Sequence, residues 1–173
     1  MGERSIFSDD PALYDACSDL LDLARGLGLT LGTAESCTGG LVSSCLTAVP
    51  GSSDVVRGGV VSYAIAVKRS VLGVSSKILD DPSLGAVSGE CAEQMASGAR
   101  RVLDCDVAVS VTGIAGPGGE EPGKPVGTVW LGVCSPRGAR ATLFRFDGGR
   151  AEVRHRAVCE AINLLRAELM EML

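Results

Sequence analysis

The chain has 173 residues, 46% of them apolar, and a net charge of −5. That length and apolar content suit one compact domain with its own core, and they exclude a disordered chain. The acidic balance, with no basic run and no aromatic–arginine platform, argues against nucleic-acid binding, and no apolar stretch reaches the roughly 20 residues that span a membrane.

One Trp, two Tyr and three Phe leave the core to Val, Leu, Ala and Ile, and 23 glycines imply many tight turns. The seven cysteines form no CxxC pair and are odd in number, which reads as reduced, buried thiols in a cytoplasmic protein. A single histidine, His155, argues against a zinc site, and no metal or cofactor is expected. The N-terminal MGERSIFSDD is acidic and lacks an apolar signal core. Its Ser5 falls one place short of a myristoylation pattern. Residues 1–10 read as a flexible tail.

Residues 11–27 read as a helix, with Leu13, Cys17, Leu20, Leu21 and Ala24 at helical spacing and an aspartate before Pro11 to start it. Leu29 to Ala34 reads as a buried strand. A second helix is expected from near Thr38 to Pro50-Gly51, then a Val- and Gly-rich strand over 55–64 and a short helix around 68–72. Ser88 opens an amphipathic helix with Cys91, Met95, Ala99, Val102 and Leu103 on its inner side. Asp106 to Val111 is an apolar strand. It meets the segment TGIAGPGGEEPGKP (112–125), whose five glycines and three prolines exclude regular structure. Strands at 126–134 and 139–146 flank a turn at Pro136-Arg137-Gly138. A long helix from Arg150 to Met172 closes the chain, with Val153, Ala157, Ala161, Leu164 and Leu165 inward. Strands interleaved with helices predict an α/β fold, a three-layer α/β/α sandwich whose final hairpin makes the mostly parallel sheet mixed. No linker or repeat divides residues 1–173.

The stretch TAESCTGG (33–40) sits between a predicted strand and helix, where open α/β sheets bind ligands. Helix-start amides at Thr38, with Gly39 and Gly40 permitting close approach, could hold an anion. Equally, Ser36 or Thr38 could simply cap the helix. A serine nucleophile needs a base. His155 lies in the amphipathic closing helix, as a surface or satisfied histidine would. Lys68 follows the strand ending near Tyr63 and could serve if burial lowers its pKa, or it could be a solvated surface lysine. Cys37 is an alternative nucleophile without an obvious histidine partner. The 112–125 loop, with Thr112 and Gly113 at its start, could wrap a phosphate or line an oxyanion site, but Pro125 rules out a Walker motif. Arg150, after Asp147-Gly148-Gly149, fits a phosphate or carboxylate contact.

TAESCTGG (33–40), VSYAIAVKRSVLGV (61–74), AVSGECAEQMA (86–96), SVTGIAGPGG (110–119) and KPVGTVWLGV (124–133) together resemble the CinA carboxy-terminal family, the PncC-type nicotinamide mononucleotide amidohydrolases, over roughly residues 12–170. The resemblance implies hydrolysis of nicotinamide mononucleotide to nicotinate mononucleotide and ammonia in pyridine nucleotide recycling. It implies Ser36 as nucleophile, Lys68 as its partner, Tyr63 to relay or orient the proton, and Thr112 and Arg150 in the site. Many CinA proteins carry an amino-terminal domain resembling molybdopterin-binding proteins, and its activity is expected to be absent here. LDDPSL (79–84) is longer than the family's usual segment. The expected partner is a small nucleotide, and a homodimer is the base-rate assembly. A nucleotide-binding or competence-associated module without catalysis is the alternative.

Overall fold

The computed structural model describes residues 10–173, so all of the expected tail except Asp10 lies outside the described residues. Asp10 and Pro11 start the first helix by local chemistry. The Asp10 carboxylate accepts from the Leu13 N–H at 3.0 Å, and Pro11 occupies a first-turn position that needs no donor. Gly28, at φ +67°, ends helix α1 (Pro11–Leu27) in the left-handed conformation. Leu13, Cys17, Leu20, Leu21 and Ala24 are its buried residues, the face expected from spacing.

Then follow β1 (Leu31–Glu35), α2 (Leu41–Thr47), β2 (Val56–Val61), α3 (Ile65–Ser70), α4 (Ser76–Leu79), α5 (Gly89–Val102), β3 (Val107–Gly113), β4 (Thr128–Ser135), β5 (Gly138–Arg145) and α6 (Arg150–Met170). The sheet order is β2-β1-β3-β4-β5. β1 is parallel to β2 and to β3, while β4 runs antiparallel to β3 and β5. Four strands therefore share one direction and only β4 opposes them, which is the mixed, mostly parallel sheet expected. Successive strand residues face opposite sides. In β3, Val107, Val109 and Val111 join the core with α1, α2 and α6, whereas Ala108 packs with Cys91, Met95 and Ala99 of α5. The sandwich thus has three layers. Glycine seats α5 closely. A Cβ at Gly132 would lie 2.3 Å from the Ala92 carbonyl oxygen, and one at Gly98 would lie 2.1 Å from that of Leu72.

The boundaries depart from expectation where local chemistry is special. α2 starts at Leu41 rather than Thr38, because Gly39 (φ +64°) and Gly40 (φ +99°) are left-handed and delay the helix. α4 was not expected; its four residues are too short to leave a period, and the Ser75 hydroxyl caps it through the Lys77 N–H. Val102 is exposed at the end of α5 instead of lying on its inner face. α6 ends at Met170, with Leu164 only partly buried. It is held to the hairpin by its buried Glu168, which accepts from Ser135 Oγ at 2.5 Å and pairs with Arg140. All seven cysteines are free thiols. Among the described residues no helix is long and apolar enough to cross a membrane.

Candidate active site

Ser36 is the first residue past β1, and its N–H donates to the Val111 carbonyl of β3 at 2.9 Å. The chain leaves β1 for β2 on one side and reaches β3 on the other, so Ser36 stands at the topological switch point of the sheet, at the carboxyl ends of two parallel strands. The Ser62 N–H bonds to the Glu35 carbonyl at 2.7 Å just beyond β2, and the chain then turns at Ala64 into α3. This turn aims Lys68, the one buried residue of α3, back at β1.

Lys68 Nζ lies 2.8 Å from Ser36 Oγ and 2.6 Å from the Ser62 carbonyl oxygen. Its residue is 1% exposed, and among the described residues no carboxylate pairs with it. Burial pushes the ammonium below the ordinary lysine range, and the nearby Cys91 and Cys37 oppose this. The Lys68 amine donates to both the Ser62 carbonyl and the Ser36 hydroxyl oxygen. Once deprotonated it would keep one N–H on the Ser62 carbonyl and turn its lone pair to the Ser36 hydroxyl. The surface-lysine reading is excluded by burial. Burial also pushes the Cys37 thiol up to about 11, which keeps it protonated and disfavours it as nucleophile.

Of the helix-start amides expected to hold an anion, those of Gly39 and Gly40 are already bonded within the chain, and that of Thr38 is left. Glu35, 1% exposed, takes the Gly40 amide and the first turn of α2. Its carboxylate accepts from the N–H groups of Gly40 (3.0 Å), Val42 (3.0 Å) and Ser43 (2.8 Å), and from the hydroxyls of Ser43 (2.9 Å) and Thr33 (3.3 Å). The Gly39 N–H is bound to the Ser36 carbonyl. Neither Ser36 nor Thr38 caps α2; the Thr38 hydroxyl is buried without a hydrogen-bond partner among the described residues. Arg154 of α6 donates to the Thr38 carbonyl at 2.9 Å and braces the same turn. Sequence reasoning missed Glu35 because a residue preceding two polar candidates looks like strand, not cap. Replacing it with alanine strands three amides and is expected to cost about 3 kcal/mol, read as a lower urea midpoint at unchanged slope.

Among the described residues the amides of Cys37 and Thr38 donate to no backbone carbonyl. They follow Ser36 directly. Arg150 at the start of α6 links the 112–125 loop to Tyr63: its guanidinium donates to the Gly116 carbonyl (2.8 Å) and to the Tyr63 phenol (3.4 Å). Tyr63, expected to relay or orient the proton, is 62% exposed and its phenol accepts from Arg150, while Lys68 contacts the carbonyl of Ser62. Thr112 is buried and its hydroxyl donates to the Ala86 carbonyl at 2.6 Å. A Cβ at Gly113 would lie 2.6 Å from the Thr128 carbonyl oxygen, so Gly113 lets β3 pack closely on β4, and neither it nor Thr112 hydrogen-bonds with Ser36 or Lys68 among the described residues. The loop beyond is irregular apart from one Glu121–Lys124 bridge, tied down by Lys124 to the Leu84 carbonyl and to Glu121. His155 pairs with Asp10 and takes no part in the Ser36–Lys68 contact.

Residues 15–169 match the CinA C-terminal domain. A CinA-like protein of Fervidobacterium nodosum is 39% identical over 171 residues, covering 99% of this chain and 41% of that protein. The chain thus spans about two fifths of that curated relative. The crystal structure of the competence/damage inducible protein CihA from Agrobacterium tumefaciens is 42% identical with a TM-score of 0.85, covering 90% of this chain and 94% of that one. A CinA superfamily protein from Klebsiella pneumoniae is 32% identical with a TM-score of 0.87, covering 92% and 98%. With residues 15–169 matching that domain and relatives 39–42% identical over nine tenths or more of its length, the chain belongs to the CinA C-terminal domain family.

Proposed function

We propose that this chain hydrolyses the carboxamide of nicotinamide mononucleotide, giving nicotinate mononucleotide and ammonia, with Ser36 as nucleophile and neutral Lys68 as general base. The observation that carries the reading is the 2.8 Å contact between Ser36 Oγ and an amine that is buried and lacks a carboxylate partner among the described residues. Membership of the CinA C-terminal domain family, which includes nicotinamide mononucleotide amidases, supports this choice of substrate. As Ser36 Oγ attacks the amide carbon, its proton moves to Lys68 Nζ. The carbonyl oxygen becomes an oxyanion, and the amides of Cys37 and Thr38 are the donors best placed to receive it, contributing roughly 3–4 kcal/mol each. The intermediate collapses as Lys68 protonates the leaving nitrogen, and ammonia departs from an acyl-enzyme. Water then attacks the ester, Lys68 takes its proton, and Ser36 is regenerated.

Arg150, held beside Tyr63 and the Gly116 carbonyl, is the candidate for the substrate phosphate. Arg150→Ala is expected to raise KM about tenfold or more while kcat changes less, because a contact to a group remote from the reacting bond contributes uniform binding. An effect confined to kcat would remove Arg150 from that role. The reading itself is tested by incubating the purified chain with nicotinamide mononucleotide and measuring ammonia and nicotinate mononucleotide together. Equimolar release of both is expected. A rise in melting temperature with the nucleotide but no ammonia would identify a binding module instead.

A further inference from the structure

One cluster of chemistry-bearing side chains lies outside the site. His155 and Cys159 are one turn apart on α6, on the same face. Asp10, which caps α1, joins them from the other end of the sequence. The three donor atoms lie within 4.8 Å of one another. His155 Nε2 is 3.1 Å from Asp10 Oδ2 and 3.7 Å from Cys159 Sγ. The cap itself uses the other carboxylate oxygen, Oδ1, so Oδ2 remains available. Asp10 and His155 also line a groove of about 500 Å³ with Leu41, Cys45 and Arg154.

Hydrogen bonding alone does not account for this arrangement well. The same atom, Nε2, faces both a carboxylate and a thiol. Protonated, it donates to Asp10 and leaves the sulfur only as a weak acceptor. Unprotonated, it accepts from the thiol and turns its lone pair toward carboxylate oxygen. A cation satisfies all three donors at once. Bond lengths of about 2.0–2.3 Å from Zn²⁺ to oxygen, nitrogen and sulfur put the edges of a tetrahedron at about 3.3–3.6 Å, close to the two edges that share His155 Nε2. The third edge, carboxylate to sulfur, lies within 4.8 Å and is set by the Asp10 and Cys159 rotamers when the ion binds. One thiolate, one imidazole and one carboxylate are the mixed soft and borderline set that suits zinc, and their two negative charges balance a divalent ion. Calcium or magnesium would require more oxygen donors.

We propose that Asp10 Oδ2, His155 Nε2 and Cys159 Sγ form a three-ligand site for Zn²⁺ or a similar borderline divalent cation, with the fourth position left for water, clamping the start of α1 to α6. The site takes no part in the Ser36 chemistry. From sequence, a single histidine argued against zinc; the carboxylate that completes the set is 145 positions away and invisible to spacing.

The test uses the full chain under a non-chelating reductant, titrated with Co²⁺ as a spectroscopic probe and then with Zn²⁺. One equivalent of Co²⁺ is expected to produce a thiolate-to-cobalt charge-transfer band in the near ultraviolet, and Zn²⁺ is expected to displace it and raise the melting temperature. The band should vanish in Cys159→Ser. His155→Ala should weaken binding by about tenfold or more. Asp10→Asn keeps a good helix cap and should also weaken binding, which separates loss of a ligand from loss of the fold. No charge-transfer band with the native chain, or Co²⁺ binding of equal strength in Cys159→Ser, would overturn the site.

Discussion

Replacing Ser36 with alanine is expected to abolish ammonia release from nicotinamide mononucleotide, by about ten thousand-fold or more, with the native circular dichroism retained. The magnitude follows from the absence of a substitute. Cys37 is adjacent, but it is buried and its thiol is pushed up to about 11. Little thiolate is therefore available at neutral pH to take over the attack. The fold should survive because the turn is held by other groups. Glu35 binds the amides that open α2, and Arg154 binds the Thr38 carbonyl. The alanine would leave Lys68 its contact with the Ser62 carbonyl. Substrate affinity should change little, since the hydroxyl acts on the reacting carbon rather than on the nucleotide. Turnover retained in a natively folded Ser36→Ala variant would assign the attack to another group.

Lys68→Met has the second large effect, and it moves activity and stability in opposite directions. Activity is expected to fall by about a thousandfold, the middle to upper range for loss of a positioned general base. Stability is expected to rise, because an apolar side chain of similar length replaces a desolvated amine. The pH dependence has a definite sign. The folded pKa of Lys68 lies below its unfolded value. Between the two values the unfolded chain binds more protons, so native stability rises with pH across that window. Below the folded pKa the whole penalty applies. The stability advantage of Lys68→Met is therefore greatest on the acid side and shrinks as pH approaches the ordinary lysine range. For the proposed hydrolysis by the native chain, kcat/KM should rise with pH through the lowered Lys68 pKa, while Lys68→Arg, charged throughout, should stay inactive. Thermal melts and rate profiles across the same buffers check both statements. Such an opposition of stability and activity is what a buried amine retained for function produces.

The elements with strong periodicity were the legible ones. α1 shows its five inner residues directly in the sequence because Asp10, Pro11 and Gly28 bound a clean 3.6-residue pattern. β1, β3 and β4 are central and buried along most of their length, so they read as apolar runs. What escaped was set by contacts between distant segments. The left-handed Gly39 and Gly40 shorten α2, and nothing in local propensity marks which glycines adopt that conformation. The Ser36–Lys68 pair was visible as two residue types in suitable places, while its distance and the loss of solvent around the amine depend on how α3 folds back on β1. Glu35 was the largest omission. Its role appears only when the amides of α2 are seen to converge on one carboxylate. Tyr63 was assigned to the proton path by resemblance, whereas the backbone carbonyl of Ser62 occupies the position beside the amine.

The measurement that most directly tests the serine–lysine mechanism is an NMR titration of the lysine side chains. The chain has only three, Lys68, Lys77 and Lys124, so assignment by the Lys68→Met variant is straightforward. The signal missing from that variant is expected to inflect clearly below the ordinary lysine value of about 10.4. An inflection at or above that value would mean a charged ammonium beside Ser36 at neutral pH, and would contradict the neutral-amine base on which the proposed hydrolysis depends.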